Sequence, residues 1–207
     1  MNVHLKICGI TNLKDARRAV EAGADYLGFV RAEESPRYVT AEQAAAITRE
    51  LPRHVRTVGV FVNSGLAEIQ ETLELAHLDT VQLHGDEPAE VARKLGTERV
   101  WRVVNLASDA DVERIWTFPC AAVVADTAVQ GKRGGTGVVG DWSLAAKLAS
   151  RKRTVLAGGL TAENVAEAVR AVSPWCVDVS SGVEAEPGVK DPDKVRQFIR
   201  AARAAER

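Results

Sequence analysis

A thiol and a carboxylate stand at the ends of two strand-like segments of this chain. Cys8 closes the segment at 3–8, and Asp126 closes the segment at 121–126. A thiolate can remove a proton and a carboxylic acid can donate one, so the two groups could move protons around a sugar carbon if they faced one substrate. A cysteine at the end of a strand is also an ordinary small core residue. The elements around the two groups must decide between these interpretations.

Two glycine-bearing loops indicate a place for an anion. Gly158 and Gly159 follow one late strand-like segment, and Ser181 and Gly182 follow the next. Glycine lets backbone N–H groups approach a phosphate closely, and a helix N-terminus adds its dipole. Either loop alone is typical of a simple turn. Two such loops after successive late strands favour a phosphate-binding site.

Four further polar residues are candidates for contacts with a substrate: Arg37, Gln82, His84 and Asp178. Arg37 lies in a loop stiffened by Pro36, and its guanidinium could form a two-pronged contact with a carboxylate or a phosphate. A lone loop arginine is also commonly a solvated charge. The other three residues either touch a substrate or brace the site, and their positions leave both interpretations open.

The segment at 135–140 matches the G-x-G-x-x-G pattern of dinucleotide-binding loops. In that motif the glycines follow a strand immediately. Here the stretch 127–135 separates the rest of the motif from the nearest strand-like segment. We therefore expect no nicotinamide or flavin cofactor.

The composition is that of an ordinary folded protein. Of 207 residues, 46% are hydrophobic and 27% are charged, and the net charge is −1. This balance provides no broad basic field for nucleic acid and no basic stripe for a membrane surface. No apolar run reaches the ~18 residues of a membrane-spanning helix. Met1 leads directly into a strand, so no signal peptide is expected.

Three cysteines, Cys8, Cys120 and Cys176, form no C-x-x-C pair. Their odd number argues against a disulfide framework, and their spacing argues against a zinc site. We therefore expect a cytoplasmic protein with free thiols and no metal site.

Short apolar segments alternate with segments of helical periodicity along the chain. The predicted strands cover 3–8, 25–30, 56–62, 79–83, 99–104, 121–126, 154–157 and 176–179. The predicted helices cover 12–22, 40–50, 64–76, 87–95, 108–116, 141–149, 161–172 and 191–205. Capping residues support several helix starts, namely Thr11 or Asn12, Thr40, Asn63 or Ser64, Asp141 and Thr161. An open sheet rarely needs so many units, so the pattern predicts an α/β fold, a single-domain (β/α)₈ barrel over residues 1–207.

Alternate residues of a strand point to opposite faces, which predicts the lining of the barrel. The residues expected to point inward are His4, Lys6 and Cys8 on the first strand, Thr80, Gln82 and His84 on the fourth, and Ala122, Val124 and Asp126 on the sixth. An eight-strand ring is roughly 15 Å across. Strands one and six lie three steps apart in it, so an acid and a base on them could face a ribose from opposite sides.

Seven motifs occur along the chain in an order that resembles a known family. They are K-I-C-G-I at 6–10, S-P-R-Y-V at 35–39, G-V-F-V-N at 59–63, V-Q-L-H-G-D-E at 81–87, D-T at 126–127 with G-G-T-G at 134–137, L-A-G-G-L at 156–160, and D-V-S-S-G-V-E at 178–184. The set closely resembles phosphoribosylanthranilate isomerase, an enzyme of tryptophan biosynthesis, over essentially the whole chain. The resemblance implies a TIM barrel that uses neither cofactor nor metal. Its partner would be a small phosphorylated sugar, with no nucleic acid and no membrane, and the protein would be a monomer or a homodimer.

The resemblance also implies roles for residues at matching positions. It makes Cys8 the general base and Asp126 the general acid. It makes Arg37 the residue that binds the anthranilate carboxylate, and it assigns the phosphate to the Gly158–Gly159 and Ser181–Gly182 loops.

The implied reaction is an Amadori rearrangement, in which an aminoaldose becomes an aminoketose. Asp126 would protonate the ribose ring oxygen to open the ring, and Cys8 would remove the C2′ proton of the resulting imine. Free Asp titrates near ~3.9 and free Cys near ~8.5. We therefore expect the site to raise the pKa of Asp126 and to lower that of Cys8, with Lys6 on the same strand face as one influence.

Two segments depart from the family pattern. Residues 30–34 replace an aromatic and basic stretch that usually precedes S-P-R, and residues 138–140 replace a polar and aromatic segment that usually follows G-G-T-G. These departures concern fine substrate contacts, whereas the two proton-transfer positions are intact.

Two other functions are compatible with such a barrel. The histidine-pathway barrel isomerase runs the same rearrangement on a two-phosphate substrate, but that family has an aspartate where Cys8 stands. The first half of this chain also contains no Gly-Gly loop for a second phosphate. The other alternative, a non-catalytic barrel that binds a phosphorylated metabolite, has no need of Cys8 and Asp126 together.

Overall fold

The structure, a computed structural model, describes residues 3–127 and 142–205. The glycine-rich loop at 134–137, the G-x-G-x-x-G segment, the departure at 138–140 and the proposed cap Asp141 lie outside the described residues. The prediction that one domain covers all of 1–207 extends into these parts and stays a prediction.

Eight parallel strands close into a barrel in chain order, and the first strand pairs with both the second and the eighth. The strands are β1 (His4–Cys8), β2 (Tyr26–Val30), β3 (Arg56–Phe61), β4 (Thr80–Leu83), β5 (Val100–Asn105), β6 (Ala122–Asp126), β7 (Thr154–Ala157) and β8 (Cys176–Val179). The helices are α1 (Leu13–Ala22), α2 (Ala41–Thr48), α3 (Leu66–Leu75), α4 (Ala89–Leu95), α5 (Asp109–Trp116), α6 (Trp142–Ala149), α7 (Val165–Val172) and α8 (Pro192–Ala204). The predicted (β/α)₈ barrel is confirmed.

Two apolar clusters show which face of each strand points inward. Val124 of β6 packs inside the barrel, in a cluster with Trp101, Val155 and Cys176. Val123, the next residue back along β6, belongs instead to the larger cluster between the strands and the helices. This split follows the two-residue period of a strand. It confirms the parity predicted for the sixth strand, which places Asp126 on the inward face.

The local sequence explains where several helices begin. The Asn12 side chain accepts a hydrogen bond from the Asp15 N–H at 2.8 Å, and Thr40 forms a reciprocal capping box with Gln43. Both are caps that satisfy backbone donors left free in the first helical turn.

Three helices begin later than predicted because the expected starting residues are used elsewhere. The Asn63 side chain accepts from the Asp86 N–H at 2.7 Å, so α3 begins after Gly65 without a side-chain cap. Glu87 accepts from the N–H of Asn63, and α4 begins only at Ala89. The helix predicted from residue 161 begins at Val165, since the Asn164 side chain turns back to accept from the Thr161 N–H.

A short hairpin between β8 and α8 was not predicted. It consists of β9 (Glu184–Glu186) and β10 (Val189–Lys190), which pair antiparallel. A 3₁₀ turn at Ser181–Val183 joins β8 to the hairpin. Strands of two or three residues lack the length that makes a two-residue period visible in sequence.

Aromatic rings close the amino-terminal end of the barrel. His4, Tyr26, Trp101 and Trp175 form a cluster with ring centroids between 4.8 and 5.8 Å apart. The opposite end, where the strands finish, is where barrels of this kind place their reactive groups. None of the helices within 3–127 and 142–205 is long and apolar enough to cross a membrane.

Candidate active site

Cys8 ends β1 beside a buried ion pair. Lys6, two residues earlier on the same face, is fully buried, and its Nζ lies 2.6 Å from Oδ2 of Asp178 on β8. The same ammonium lies close enough to the Cys8 thiol to lower its pKa. An unpaired buried ammonium is costly, so Asp178 is the group that keeps Lys6 charged next to the thiol.

The electrostatics of Cys8 differ from the sequence-based expectation. Burial raises the pKa of the Cys8 thiol, and this effect outweighs the opposing influence of Lys6, while Asp178 adds to the rise. The expected lowering of the Cys8 pKa is therefore wrong for the free protein, because desolvation of a thiolate costs more than the nearby ammonium returns. Burial would lower the pKa of Lys6, but Asp178 and Cys8 raise it, so the lysine stays protonated.

Gly28 of β2 leaves the space that the thiol occupies. A Cβ atom at position 28 would lie 2.7 Å from the Cys8 Sγ and 3.2 Å from the Lys6 Cε. Carbon and sulfur cannot approach so closely without displacement. The absence of a side chain on β2 therefore determines where the Cys8 thiol lies.

Asp126 ends β6, three strands from β1 around the barrel through β8 and β7. It is partly exposed, and it pairs in register with Asn105 of β5 and Ala157 of β7. The next residue, Thr127, donates its hydroxyl to the carbonyl of Ala157 at 3.1 Å. The strand end that holds Asp126 is thus tied to the end of β7.

The other inward polar residues gather around the same space. His84 follows β4 at the barrel mouth, where loss of hydration lowers the pKa of its imidazole, whereas Asp126 favours the protonated form. The charge of Lys6 also lowers the pKa of this imidazole, and the charge of Asp178 raises it. Within the described residues, Oε1 of Gln82 and Oδ1 of Asp178 are buried without a hydrogen-bond partner. Buried polar atoms of this kind are suited to a bound ligand.

The two glycine loops lie side by side above β7 and β8. Gly158 and Gly159 have φ values of 90° and 65°, in the left-handed region that favours glycine. A Cβ atom on Gly182 would lie 2.0 Å from the carbonyl oxygen of Leu160. The two loops therefore approach through their backbones, which is the arrangement expected of a phosphate cradle.

Arg37 lies beside these loops and is already paired. Its Nε and Nη2 donate to the two carboxylate oxygens of Glu184 at 2.7 and 2.6 Å. Lys190 on β10 donates to the same carboxylate at 2.8 Å. Burial opposes ionisation of Glu184, but the bonds from Arg37 and Lys190 outweigh it and lower its pKa. Lys190 receives less compensation, so burial lowers its pKa.

Arg31, in the segment that departs from the family pattern, supports the loop around Arg37. Its guanidinium donates to the carbonyl of Val39 and stacks over the ring of Tyr38, 5.1 Å from the centroid. This side chain braces the loop from below, which explains a charged residue at a largely buried position.

Sequence reasoning missed two groups at this site. Gly28 was not singled out, because nothing in a strand-like segment shows that its missing side chain accommodates a thiol on the neighbouring strand. Lys190 lies in a polar stretch with no motif, and only the fold brings it to Glu184. Glu184 belongs to the D-V-S-S-G-V-E motif, but that motif alone assigns it no partner.

The chain is similar to a known protein family over most of its length. The model of a family described as "N-(5'phosphoribosyl)anthranilate (PRA) isomerase" matches residues 5–201. The N-(5'-phosphoribosyl)anthranilate isomerase of Pelobacter propionicus is 49% identical over 201 residues, which cover 97% of this chain and 96% of the relative.

The chain belongs to the phosphoribosylanthranilate isomerase family.

Solved structures of phosphoribosylanthranilate isomerases share the fold. The enzyme from Thermotoga maritima has a TM-score of 0.91 and 45% identity, with 98% of this chain and 99% of that chain covered. An isomerase in complex with reduced 1-(o-carboxyphenylamino)-1-deoxyribulose 5-phosphate has a TM-score of 0.87 and 44% identity, with the same coverage. A structure of monomers of the dimeric Thermotoga maritima isomerase has a TM-score of 0.83 and 45% identity, with 97% and 98% covered.

Proposed function

We propose that the chain converts N-(5'-phosphoribosyl)anthranilate into 1-(2-carboxyphenylamino)-1-deoxyribulose 5-phosphate. The observation that carries this proposal is the placement of Cys8 and Asp126 at the carboxyl ends of β1 and β6, on inward faces of one closed barrel. The family membership supports the same reaction.

The reaction needs two proton transfers and no external oxidant. Asp126, as the acid, gives a proton to the ribose ring oxygen, the C1′–O bond breaks, and an imine forms at C1′. Cys8, as the base, takes the proton from C2′, and the electron pair moves towards the imine nitrogen to give an enolamine. Tautomerisation then moves a proton from the C2′ hydroxyl to C1′ and yields the ketone. C1′ is reduced and C2′ is oxidised within one molecule, so the enzyme is an aldose–ketose isomerase of the intramolecular oxidoreductase type, and the chemistry balances without a cofactor or metal.

Lys6 is the group that makes the Cys8 thiolate accessible. Burial disfavours the thiolate, and the neighbouring ammonium offsets part of that cost. Asp178 keeps Lys6 protonated at a distance of 2.6 Å. The base therefore works from a thiol that is mostly protonated in the free enzyme, and only a small thiolate fraction reacts at neutral pH.

The remaining predicted residues bind the substrate in this proposal. The backbone N–H groups of the Gly158–Gly159 and Ser181–Gly182 loops hold the phosphate, and Arg37 holds the anthranilate carboxylate. Gln82, His84 and Asp178 surround the ribose, where the unpaired oxygens of Gln82 and Asp178 could accept from its hydroxyls.

We further propose that the protein acts in the cytosol as a monomer or a homodimer, with neither nucleic acid nor a membrane as partner. A related isomerase from Thermotoga maritima is dimeric. Sedimentation of the purified protein distinguishes the two assembly states.

Incubation of the purified protein with phosphoribosylanthranilate tests the proposed activity. Loss of the anthranilate-type fluorescence over time, absent in a Cys8→Ser variant, is the expected result. Tight product binding without turnover would indicate a binding protein. Turnover of the two-phosphate substrate of the histidine pathway, with none of phosphoribosylanthranilate, would indicate the other isomerase.

A further inference from the structure

Three charged side chains from distant parts of the sequence meet beneath the glycine loops. Lys190 and Glu184 are 3% and 7% exposed as residues, and the side chain of Arg37 is 22% exposed. The mechanism proposed above uses only Arg37 and leaves the two buried charges unexplained. Charged residues are rarely buried to this extent without a reason, because removing each from water is costly.

The Arg37–Glu184 pair by itself is a poor receptor for another carboxylate. Nε and Nη2 of Arg37 are both directed at Glu184, at 2.7 and 2.6 Å. Within the part of the chain that the structure describes, only Nη1 of this guanidinium donates to no acceptor. The charges of the two side chains cancel, so a substrate carboxylate arriving at Nη1 would meet a neutral pair.

Lys190 changes this balance. Its Nζ lies 2.8 Å from Oε1 of Glu184, the oxygen that also accepts from Nε of Arg37. Two cations and one anion leave the cluster with one net positive charge. Asp15 contacts Lys190 only through the backbone N–H, at 2.9 Å, so its carboxylate does not replace Glu184 as the partner of the ammonium. The Cys8 thiol is also within electrostatic reach of Lys190 and Arg37, and it is neutral until it ionises.

The same lysine reaches the phosphate loop. Lys190 Nζ donates to the carbonyl of Ser180 at 3.2 Å, directly before the 3₁₀ turn at Ser181–Val183. The Lys190 side chain therefore makes two contacts. One is with the segment proposed to hold the phosphate, and the other is with the Glu184 carboxylate that binds Arg37.

We infer that Lys190 is a positioning residue that sets the specificity for an aromatic carboxylate, because its ammonium offsets Glu184 and leaves Arg37 with a net positive charge for the substrate. Glu184 fixes the orientation of Arg37 but cancels its positive charge. Lys190 restores a net positive charge to the cluster. The inference rests on the proposed function, in which Arg37 binds the anthranilate carboxylate.

Two ligands that differ by a single group test the inference. The first is reduced 1-(o-carboxyphenylamino)-1-deoxyribulose 5-phosphate, and the second is its phenylamino counterpart, which lacks the carboxylate but keeps the phosphate. Titration calorimetry gives the dissociation constant of each. Lys190→Met neutralises the cluster, so the first ligand should bind about tenfold more weakly at an effective dielectric constant near 20. The second should bind as it does to the wild-type protein.

A charge-restoring variant separates electrostatics from simple loss of structure. The double variant Lys190→Met with Glu184→Gln regains one net positive charge on Arg37, so binding of the carboxylate ligand should recover towards the wild-type value. In steady-state kinetics, Lys190→Met should raise KM and leave kcat nearly unchanged. Lys194→Met is the matched control, since this neighbouring lysine is exposed and its ammonium donates to the backbone carbonyl of Glu184 rather than to the carboxylate, so both binding constants should stay unchanged.

Equal weakening of both ligands in Lys190→Met overturns the inference, as does a double variant that binds the carboxylate ligand no better than the single one. Should Lys190→Met fail to fold, Lys190→Gln makes the same charge change while retaining a hydrogen-bond donor, and the same outcomes apply. Failure of the wild-type protein to turn over phosphoribosylanthranilate would instead contradict the proposed function. The turnover assay is independent of the two binding constants, so the two failures can be told apart.

Discussion

Burial and a neighbouring ammonium act in opposite directions on the Cys8 proton. Burial raises the pKa of the thiol, and Lys6 lowers it without reversing the net rise. If Cys8 is the base, as proposed, its protonated form limits kcat/KM at low pH, so activity should rise with pH until the thiol has ionised.

Replacement of Lys6 by Met should move this limb of the pH profile to higher pH. The substitution removes the ammonium that favours the thiolate, so the pKa of Cys8 rises further and kcat/KM at neutral pH falls. A kcat/KM profile against pH measures the shift, because that parameter reports the free enzyme. Cys120→Ser, which changes a thiol outside the barrel interior, is the control and should leave the limb in place. An unshifted limb in Lys6→Met rejects the role of Lys6.

Gly28→Ala should damage catalysis while the fold survives. The new methyl group would meet the Cys8 Sγ at 2.7 Å, so the thiol must move away from its position. Displacement of a reacting group by a fraction of an ångström to an ångström can lower kcat roughly tenfold to a hundredfold. Steady-state kinetics measures the fall in kcat, and a melting curve checks that the fold survives. Gly65→Ala is the control, because it makes the same chemical change at another glycine. No atom lies within 4 Å of the added carbon there, so this variant should retain full activity.

Among the elements, the loops after β7 and β8 depend on each other. The backbone of Gly182 approaches Leu160 so closely that an added Cβ would lie 2.0 Å from the carbonyl oxygen. That contact joins the loop containing Gly158 and Gly159 to the 3₁₀ turn at Ser181–Val183. Since each loop provides part of the proposed phosphate site, separation of the two loops should weaken phosphate binding more than it slows the chemical step.

Gly182→Ala should therefore weaken phosphate binding more than it affects the chemical step. The clash is with backbone atoms, which cannot rotate aside, so the loops must separate at a cost of about 1–3 kcal/mol in stability. Inhibition by inorganic phosphate measures the site directly. We expect a higher inhibition constant and a higher KM, with a smaller change in kcat. A variant with an unaltered inhibition constant would contradict the assignment of this loop.

The two ends of the barrel differ in what their side chains contribute. The carboxyl ends of the strands hold Cys8 and Asp126, while the amino-terminal end is filled by His4, Tyr26 and Trp175 with Trp101. The rings lie far enough along the strands from the proposed site that they contribute packing rather than chemistry.

Trp175→Ala should lower stability and spare the activity. Removal of this ring leaves a cavity among the other aromatic rings and takes away the cation–π contact with Arg153, whose guanidinium lies 4.8 Å from the ring centroid. Replacement of a fully buried tryptophan by alanine costs about 3–5 kcal/mol of stability. Trp175 is partly exposed, so we expect a loss at the lower end of this range, about 3 kcal/mol. Denaturant unfolding measures the loss. A large fall in kcat in the still-folded variant would contradict this division of tasks.

Much of the fold was predictable because its signals are local. The alternation of apolar and helical segments indicated all eight barrel strands to within a residue or two, and Asn12 and Thr40 act as the caps their positions suggested. The hairpin of Glu184–Glu186 with Val189–Lys190 was missed, since strands so short show no period. The sequence also placed Asp126 on an inward face, because the parity of a strand depends only on its own residues.

The barrel, the family motifs and the residues proposed as acid and base could be read from the chain alone, since they depend on residue type and on spacing along a single segment. The way the charges act depends on contacts between residues that are distant in the chain. Arg37 meets Glu184 across 147 residues, Lys6 meets Asp178 across 172, and Gly28 opens space for a thiol on another strand. A pKa or a net charge is the sum over all neighbours in space, and those neighbours exist only once the barrel has closed.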